Sequence, residues 1–408
     1  MGRPSPDASS PWSWRFPVAA FAAVTVVVWA VGQLTIRVAP AAPAPHRWPD
    51  HRWLDTFARW DTGWYFHIAE SGYFYDGPGV QSAVAFFPGY PLLMRLAGVV
   101  TGDLIVAGVV VTLVSGLVAT VLFHGWARDA FDQRTARLAV ILLLVSPFAY
   151  FLLGAVFSDA MFLAATLAAF VALERRHPYL AAAAGAVATA TRPVGLAVVL
   201  ALVLRSMELD GVLPGSRGRL CGGERPAGSI PLLPRAVRLE RLRPTTAVVA
   251  LSVLGLVGFC ALLWWRFGEP LAFAHVETAA GWNRTVDADA VFKLDFFRRW
   301  RDFSPGVAHF GLTLQAVLSV ILLGLVVPTV RRLGWAYGTY VLVVVGVPLL
   351  TSSDFIAMGR YVLVAFPALA VAAALLLERP RSLAVATVFT SSALLVVMTV
   401  VFARWVLL

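Results

Sequence analysis

Few side chains in this sequence can do ionic chemistry in apolar surroundings, and those that can are confined to four places. Asp61 stands in "RWDTGWYFHIAESGY", Arg59 to Tyr73, between two tryptophans and ahead of a tyrosine, a histidine and a glutamate. Asp159 stands in "SPFAYFLLGAVFSDAMF", Arg192 lies in "ATRPVG", and Arg360 in "MGRYVLVAFP". A carboxylate can take a proton and a guanidinium can hold an anion in a bidentate contact. Ionisable groups within or at the ends of apolar spans are costly, and they commonly mark a functional path. Two simpler roles stay open at this point. Asp61 serves as an N-cap for the helix after it, as Asp55 does for an earlier one, or the arginines snorkel to a nearby water interface.

The elements that must position these groups are apolar helices. The chain has 408 residues, of which 59% are hydrophobic and 14% charged, with a mean hydropathy of +0.77. Soluble domains carry about 25% charged residues. Apolar runs of about 20 residues recur from end to end, each long enough to cross the hydrocarbon core. The reading is an all-α polytopic membrane protein with about eleven spans, at 17–38, 104–124, 137–153, 155–173, 178–191, 193–205, 245–266, 308–330, 335–350, 361–378 and 382–404. The first run has no small-residue cleavage site directly after it and reads as a retained helix. The formal net charge is +10. With the N-terminus in the cytoplasm, Lys and Arg gather on the cytoplasmic segments. The basic balance is therefore a topology signal, and no nucleic-acid partner is expected.

Two stretches decide the topology. Residues 86–101, "FFPGYPLLMRLAGVVT", hold Pro88, Pro91 and Arg95 and read as an interfacial helix. Residues 178–205 split at Arg192–Pro193 into two half-height helices, which returns the Arg-rich loop 206–244 to the cytoplasm. The two long external segments are then 39–103 and 267–307. In the first, Trp53, Phe57, Trp60, Trp64 and Ile68 recur at steps of three and four, as one helical stripe lying on a membrane. In the second, "VFKLDFFRRWRDF" reads as a basic amphipathic helix, either a lipid-surface anchor or a cationic wall beside an anionic headgroup. Asp159, Arg192, Arg360 and Asp61 all fall on the external side, which favours one shared pocket.

Other chemistry finds less support. "DAD" at Asp287–Asp289 has the acid spacing of a nucleotide-sugar site, but nucleotide-sugars are scarce on that face. His67 with Glu70, and His275 with Glu277, lack a third ligand at metal spacing. There is no Walker loop, dinucleotide fingerprint or nucleophile elbow. Cys221 falls in the cytoplasmic loop and Cys260 inside a span, so no disulfide is expected. No repeat of solenoid length is visible.

The blocks "RWDTGWYFHIAESGY", "AFFPGYPLLMR", "SPFAYFLLGAVFSDAMF", "TRPVG", "FGEPLAFAHVETAAGW" and "MGRYVLVAFP" occur in the order seen in the GPI mannosyltransferase 2 (PIG-V-type) family. The chain resembles that family and its actinobacterial relatives over roughly residues 50–370. The resemblance implies one GT-C transmembrane domain over 1–408, in the cell membrane, with the catalytic site in loop 39–103. It also implies a polyprenyl-phosphate sugar donor, most often mannose, and a lipid-linked glycan or glycolipid acceptor. The family's loop aspartate falls on Asp61, its tyrosine and glycine partners on Tyr65, Gly72 and Tyr73, and its proline block on Phe87, Pro88 and Pro91. Its acid after serine is Asp159. Its Arg-Ser-Asn-Gly block reads Arg192-Pro193-Val194-Gly195, and Glu277 stands where glutamine is common. Asp61 is then the base for an inverting transfer, and Arg192 and Arg360 hold the departing phosphate. Trp64, Tyr65, Tyr73, Asp159 and Glu277 complete the expected substrate contacts. No cofactor is required, and a metal is optional because no nucleotide diphosphate leaves. A transporter or lipid flippase, and a non-catalytic organising subunit, are the competing readings.

Overall fold

The computed structural model describes residues 13–38, 48, 52–213, 237–282, 284–302 and 306–404. They form helices α1 (Arg15–Val38), α2 (Thr62–Ser71), α3 (Gly89–Thr101), α4 (Leu104–Ala130), α5 (Gln133–Leu144), α6 (Asp159–Glu174) and α7 (Pro178–Thr189). After them come α8 (Leu196–Leu209), α9 (Pro244–Ala250), α10 (Leu254–Phe267), α11 (Ala272–His275), α12 (Ala288–Phe292) and α13 (Leu294–Asp302). The chain then runs through α14 (Val307–Gly324), α15 (Val326–Leu333), α16 (Trp335–Thr351), α17 (Met358–Val364), α18 (Phe366–Leu377) and α19 (Arg381–Ala403). Among the described residues, extended backbone pairs only in an isolated bridge between Arg284 and Ser352. Most of the Arg-rich loop 206–244, with Cys221, lies outside the described residues.

Among the described residues, five stretches are long and apolar enough to cross a membrane: α1, α4, Pro244–Phe267, His309–Leu333 and α19. A sixth arises if α17 and α18, bent by 69°, count as one broken span. The remaining expected spans fall on shorter apolar helices. The span expected at 137–153 differs most. Its helix stops at Leu144, before Ser146–Pro147, where proline withdraws an N–H donor and excludes the helical conformation for the residue before it. Residues 145–158 are then irregular yet buried, as backbone at membrane depth must be when it is not helical. That segment carries Ser158 and Asp159 to the start of α6.

The core is helix on helix. α4 packs on α6, α6 on α7, α8 on α16, and α5 on α18. Small residues let backbones meet, since van der Waals packing drives association in lipid. A Cβ on Gly255 would sit 1.9 Å from the carbonyl oxygen of Ala186, so α10 crosses α7 in direct backbone contact. α6 is pinned at its C-terminus by a buried polar cluster. Arg205 donates to Glu174 at 2.7 and 3.0 Å and to Glu208 at 2.9 Å. The Tyr337 hydroxyl donates to Glu174 at 2.6 Å and accepts from Trp126 Nε1 at 2.9 Å. Glu208 also accepts from the backbone N–H of Ala336, at 3.1 Å. Fully satisfied buried networks rigidify and specify a core. Here the cluster locks α6, α8 and α16 together about 22 Å from Asp159, the rise of a helix of this length.

The aromatic stripe of the first long loop is not one helix. Residues 52–61 are turns, and only Thr62–Ser71 is helical. Trp60 adopts a left-handed φ of +50° and ends any continuous face. Phe57 is consequently buried in the main core, Ile68 in a second apolar cluster, and Trp53 is exposed. Asp55 caps nothing. It forms a buried ion pair with Arg59 at 3.1 Å.

Candidate active site

Most candidate side chains enter the site at or near a helix end or a break in the helices. Asp61 occupies the N-cap position of α2, but its side chain makes no capping bond, because its φ of −61° and ψ of −18° are already helical. Tyr65, one turn on, shares a 2.9 Å hydrogen bond with Ser158. Arg192 has extended backbone between α7 and the short turn Pro193–Gly195, as a residue before proline prefers. Gly89 clasps that turn. Its N–H donates to Ala190 O at 2.7 Å, and a Cβ there would lie 2.9 Å from both Ala190 O and Thr191 Oγ1. Arg360 follows Ala357, a non-glycine residue at φ +66°, a conformation that costs energy and turns the chain into α17.

These groups meet. Asp159, fully buried at 0% exposure, pairs with Arg192 through one oxygen. Its other oxygen accepts from Arg360 Nε at 2.9 Å. Arg360 Nη1 in turn donates to Asp61 Oδ2 at 2.5 Å. The result is an alternating chain, Arg192–Asp159–Arg360–Asp61, drawn from four distant parts of the sequence. Aromatic faces support the cations. Arg360 lies 4.7 Å from the Phe157 ring centroid and Arg192 4.8 Å from that of Tyr361. A further pair comes from the second long loop, where Arg284 Nε sits 3.3 Å from Glu277 Oε2 and its guanidinium lies 6.0 Å from the Tyr361 ring. The three carboxylates and three guanidiniums compensate in charge.

These residues surround a cavity of about 520 Å³, a size that suits a small-molecule ligand. Asp61, Arg192, Glu277, Arg284, Arg360 and Tyr361 line it. Another part of the wall is aromatic. Trp64 stacks on Phe86 with centroids 5.6 Å apart, and Trp282 meets both edge-on at 5.7 and 5.9 Å. Gln81 donates to Ala280 O at 2.9 Å and joins the two long loops. Burial holds the Tyr65 phenol above its ordinary pKa against the pull of Arg360, so it remains a neutral hydrogen-bonding group. Burial also raises the Glu277 carboxyl, and Arg284 offsets part of that rise.

Seven of the eight expected site residues, Asp61, Trp64, Tyr65, Asp159, Arg192, Glu277 and Arg360, are in or directly bonded to the cavity wall. Tyr73 is not. Its hydroxyl donates to the Phe86 carbonyl at 2.8 Å, and its ring packs on Phe259, so it props the aromatic wall from behind. Reading the sequence alone misses Arg284, Tyr361, Ser158 and Gln315, all of which line the cavity. Tyr361 adjoins Arg360 in a block already singled out, and Arg284 ends "GWNR" beyond the Glu277 block. The "DAD" acids are used locally: Asp287 accepts from Ala290 N at 2.8 Å as a helix cap, and Asp289 pairs with Arg298 at 2.8 Å. Among the described residues, no cluster of three or more His, Cys, Asp or Glu is placed to hold a metal ion.

Comparison with known proteins bears on the same region. The mouse GPI alpha-1,6-mannosyltransferase 2 is 32% identical over 164 residues, which cover 38% of this chain and 32% of that protein. The match thus spans about a third of the relative's length. Among solved structures, ArnT from Cupriavidus metallidurans bound to undecaprenyl phosphate is similar with a TM-score of 0.49 and 17% identity, covering 95% of this chain and 76% of that one. The archaeal oligosaccharyltransferase AglB from Archaeoglobus fulgidus, in complex with an inhibitory peptide and a dolichol-phosphate, gives 0.42 and 14%, covering 94% and 55%. Residues 46–209, which include Asp61, Tyr65, Asp159 and Arg192 but stop short of Glu277 and Arg360, match the family model described as Mannosyltransferase (PIG-V).

Proposed function

We propose that the protein is a GT-C mannosyltransferase that transfers mannose from a polyprenyl-phosphate donor to a lipid-linked or cell-envelope glycan acceptor, with inversion, on the external face of the membrane. The observation that carries this reading is the state of Asp61. Arg360 occupies its Oδ2. Oδ1 makes no bond among the described residues, and the side chain keeps 28% of its surface at the cavity. A carboxylate oriented by one oxygen has the other available for a proton.

The reaction balances with this chain's residues alone. An acceptor hydroxyl attacks the anomeric carbon, a new carbon–oxygen bond forms, and the bond from that carbon to the phosphate oxygen breaks. The hydroxyl proton goes to Asp61. The phosphate leaves with the electron pair, and the unspent N–H groups of Arg192 and Arg360 receive it. Guanidiniums suit this role because they stay charged and present several donors in a plane. Charge placed in advance where the leaving group develops is the main electrostatic aid to such a displacement. The match of residues 46–209 to the PIG-V mannosyltransferase model supports mannose as the transferred sugar.

The test is incubation of membranes holding the wild-type chain with labelled polyprenyl-phosphate mannose, followed by separation of the lipids and glycans. Label is expected in an acceptor lipid or glycan with wild type and not with Asp61→Asn. Label that stays in the donor with both proteins, or moves equally with both, overturns the reading.

A further inference from the structure

Gln315 lies in the first half of α14, within one of the long apolar spans. Its side chain is 1% exposed and lines the cavity. The Gly359 N–H donates to Gln315 Oε1 at 2.8 Å. A backbone N–H can only donate, so this bond fixes which end of the amide is oxygen. The Nε2 group must therefore face the other way, where it has no hydrogen-bond partner. A buried donor left unpaired is a cost that native structures rarely carry without a reason. An uncharged polar group within a membrane span is also held more cheaply when a partner is present.

The surroundings indicate the partner. Gly359 directly precedes Arg360, so Gln315 and the Asp61 partner are anchored to one turn of α17. That turn is held close, because a Cβ on Gly359 would lie 2.5 Å from the Phe148 ring. Phe148, Tyr150 and Phe402 line the cavity with it. Three guanidiniums already serve any anionic group in the cavity. A neutral donor among aromatic rings suits a neutral oxygen. Building on the transferase reading, we infer that Gln315 Nε2 donates to a hydroxyl of the bound sugar and so makes the cavity distinguish a sugar-bearing lipid phosphate from a bare one.

The experiment measures thermal unfolding of purified wild type, Gln315→Leu and Gln315→Glu in detergent. Each is tested without lipid, with polyprenyl phosphate and with polyprenyl-phosphate mannose. Gln315→Glu keeps an acceptor for Gly359 and exchanges the amide donor for a carboxyl, whereas Gln315→Leu removes the amide without adding charge. Wild type is expected to gain more from the mannosyl lipid than from the bare phosphate, with about tenfold tighter binding traceable to one hydrogen bond. Both variants should lose that excess, and Gln315→Leu should keep the shift from bare phosphate. The inference is overturned if wild type shows no excess, if the excess persists in both variants, or if Gln315→Leu loses the bare-phosphate shift as well. If wild type transfers no mannose, yet shows the excess and both variants lack it, the sugar contact stands and the transferase reading falls.

Discussion

Arg360 Nη1 lies 2.5 Å from Oδ2 of Asp61 across a sequence separation of 299 residues. The contact joins the first long loop to the broken helix pair α17–α18, and it leaves one oxygen of Asp61 turned to the cavity. Replacing Asp61 with asparagine preserves an oxygen for Arg360 but removes the ability to take a proton. Transfer should fall by about 10²–10⁴, the usual share of a general base. The variant should elute and melt as wild type does. Radiolabel transfer beside size-exclusion chromatography checks both halves of the prediction, and near-normal transfer would remove Asp61 from the role of base.

Asp159 is the hub of the charge chain, wholly buried and bonded to both Arg192 and Arg360. Removing one partner of a buried pair leaves an uncompensated charge and costs about 3–5 kcal/mol. Arg192→Met alone should therefore destabilise the protein strongly. Combining it with Asp159→Asn should cost less than the sum of the two single changes, since neighbouring sites in one network are coupled. A double-mutant cycle of unfolding midpoints measures this. Simple additivity would show that the two side chains do not share a buried contact.

How much of this was legible depends on what each residue cost in its setting. Asp61, Asp159, Arg192 and Arg360 were visible because charge is expensive at the edge of an apolar run, whatever the fold. Their convergence on one side followed from the charge rule for the loops. Arg284 was not visible, because arginine in a polar loop is cheap, and tertiary contacts to Ser352, Glu277 and Tyr361 carry it inward. Gln315 was hidden for the opposite reason: a single uncharged amide hardly changes the hydropathy of α14. The aromatic stripe misled because helical spacing in sequence cannot register one left-handed residue, here Trp60. The helix end at Leu144 had a local signal in Ser146–Pro147, and the break that bends α17 from α18 by 69° had one in Pro367, which lies in the first turn of α18 and has no N–H to carry the helix through Ala365.

The Gly89 contact explains why the "FFPGYP" block and the "TRPVG" block go together. Gly89 touches the carbonyl of Ala190 closely enough that an added Cβ would lie 2.9 Å from it. Gly89→Ala must push the Ala190–Arg192 turn outward or shift α3. Overpacking of this kind costs about 1–3 kcal/mol. Arg192 moves with the turn, so the donor requirement should rise about tenfold or more, with less change in maximal rate. Steady-state kinetics over a range of donor concentrations distinguish this from a loss confined to turnover. An unchanged donor requirement would show that the turn tolerates displacement without moving Arg192.

Lys293 supplies a pH test on the second long loop. It is buried between α12 and α13 at a left-handed φ of +57°, and its ammonium donates to the carbonyls of Leu349 and Ser352 near the end of α16. Burial lowers its pKa from 10.5 to about 8, with Asp354 opposing the shift and Arg284 adding to it. Below pH 8 the lysine is protonated in both the folded and the unfolded chain. Between pH 8 and 10.5 the folded chain has released the proton while the unfolded chain still binds it. Stability from this residue therefore rises with pH across that window. Other groups of the unfolded chain titrate in the same window, so the informative quantity is the difference between proteins. The unfolding midpoint of wild type should gain on that of Lys293→Arg, which stays charged throughout, as pH is raised from 8 to 10.5. Lys293→Met, which has no charge to lose, should likewise lack the rise. Parallel curves for wild type and both variants would show that Lys293 keeps its proton in the folded protein and that its burial carries no pH-dependent cost.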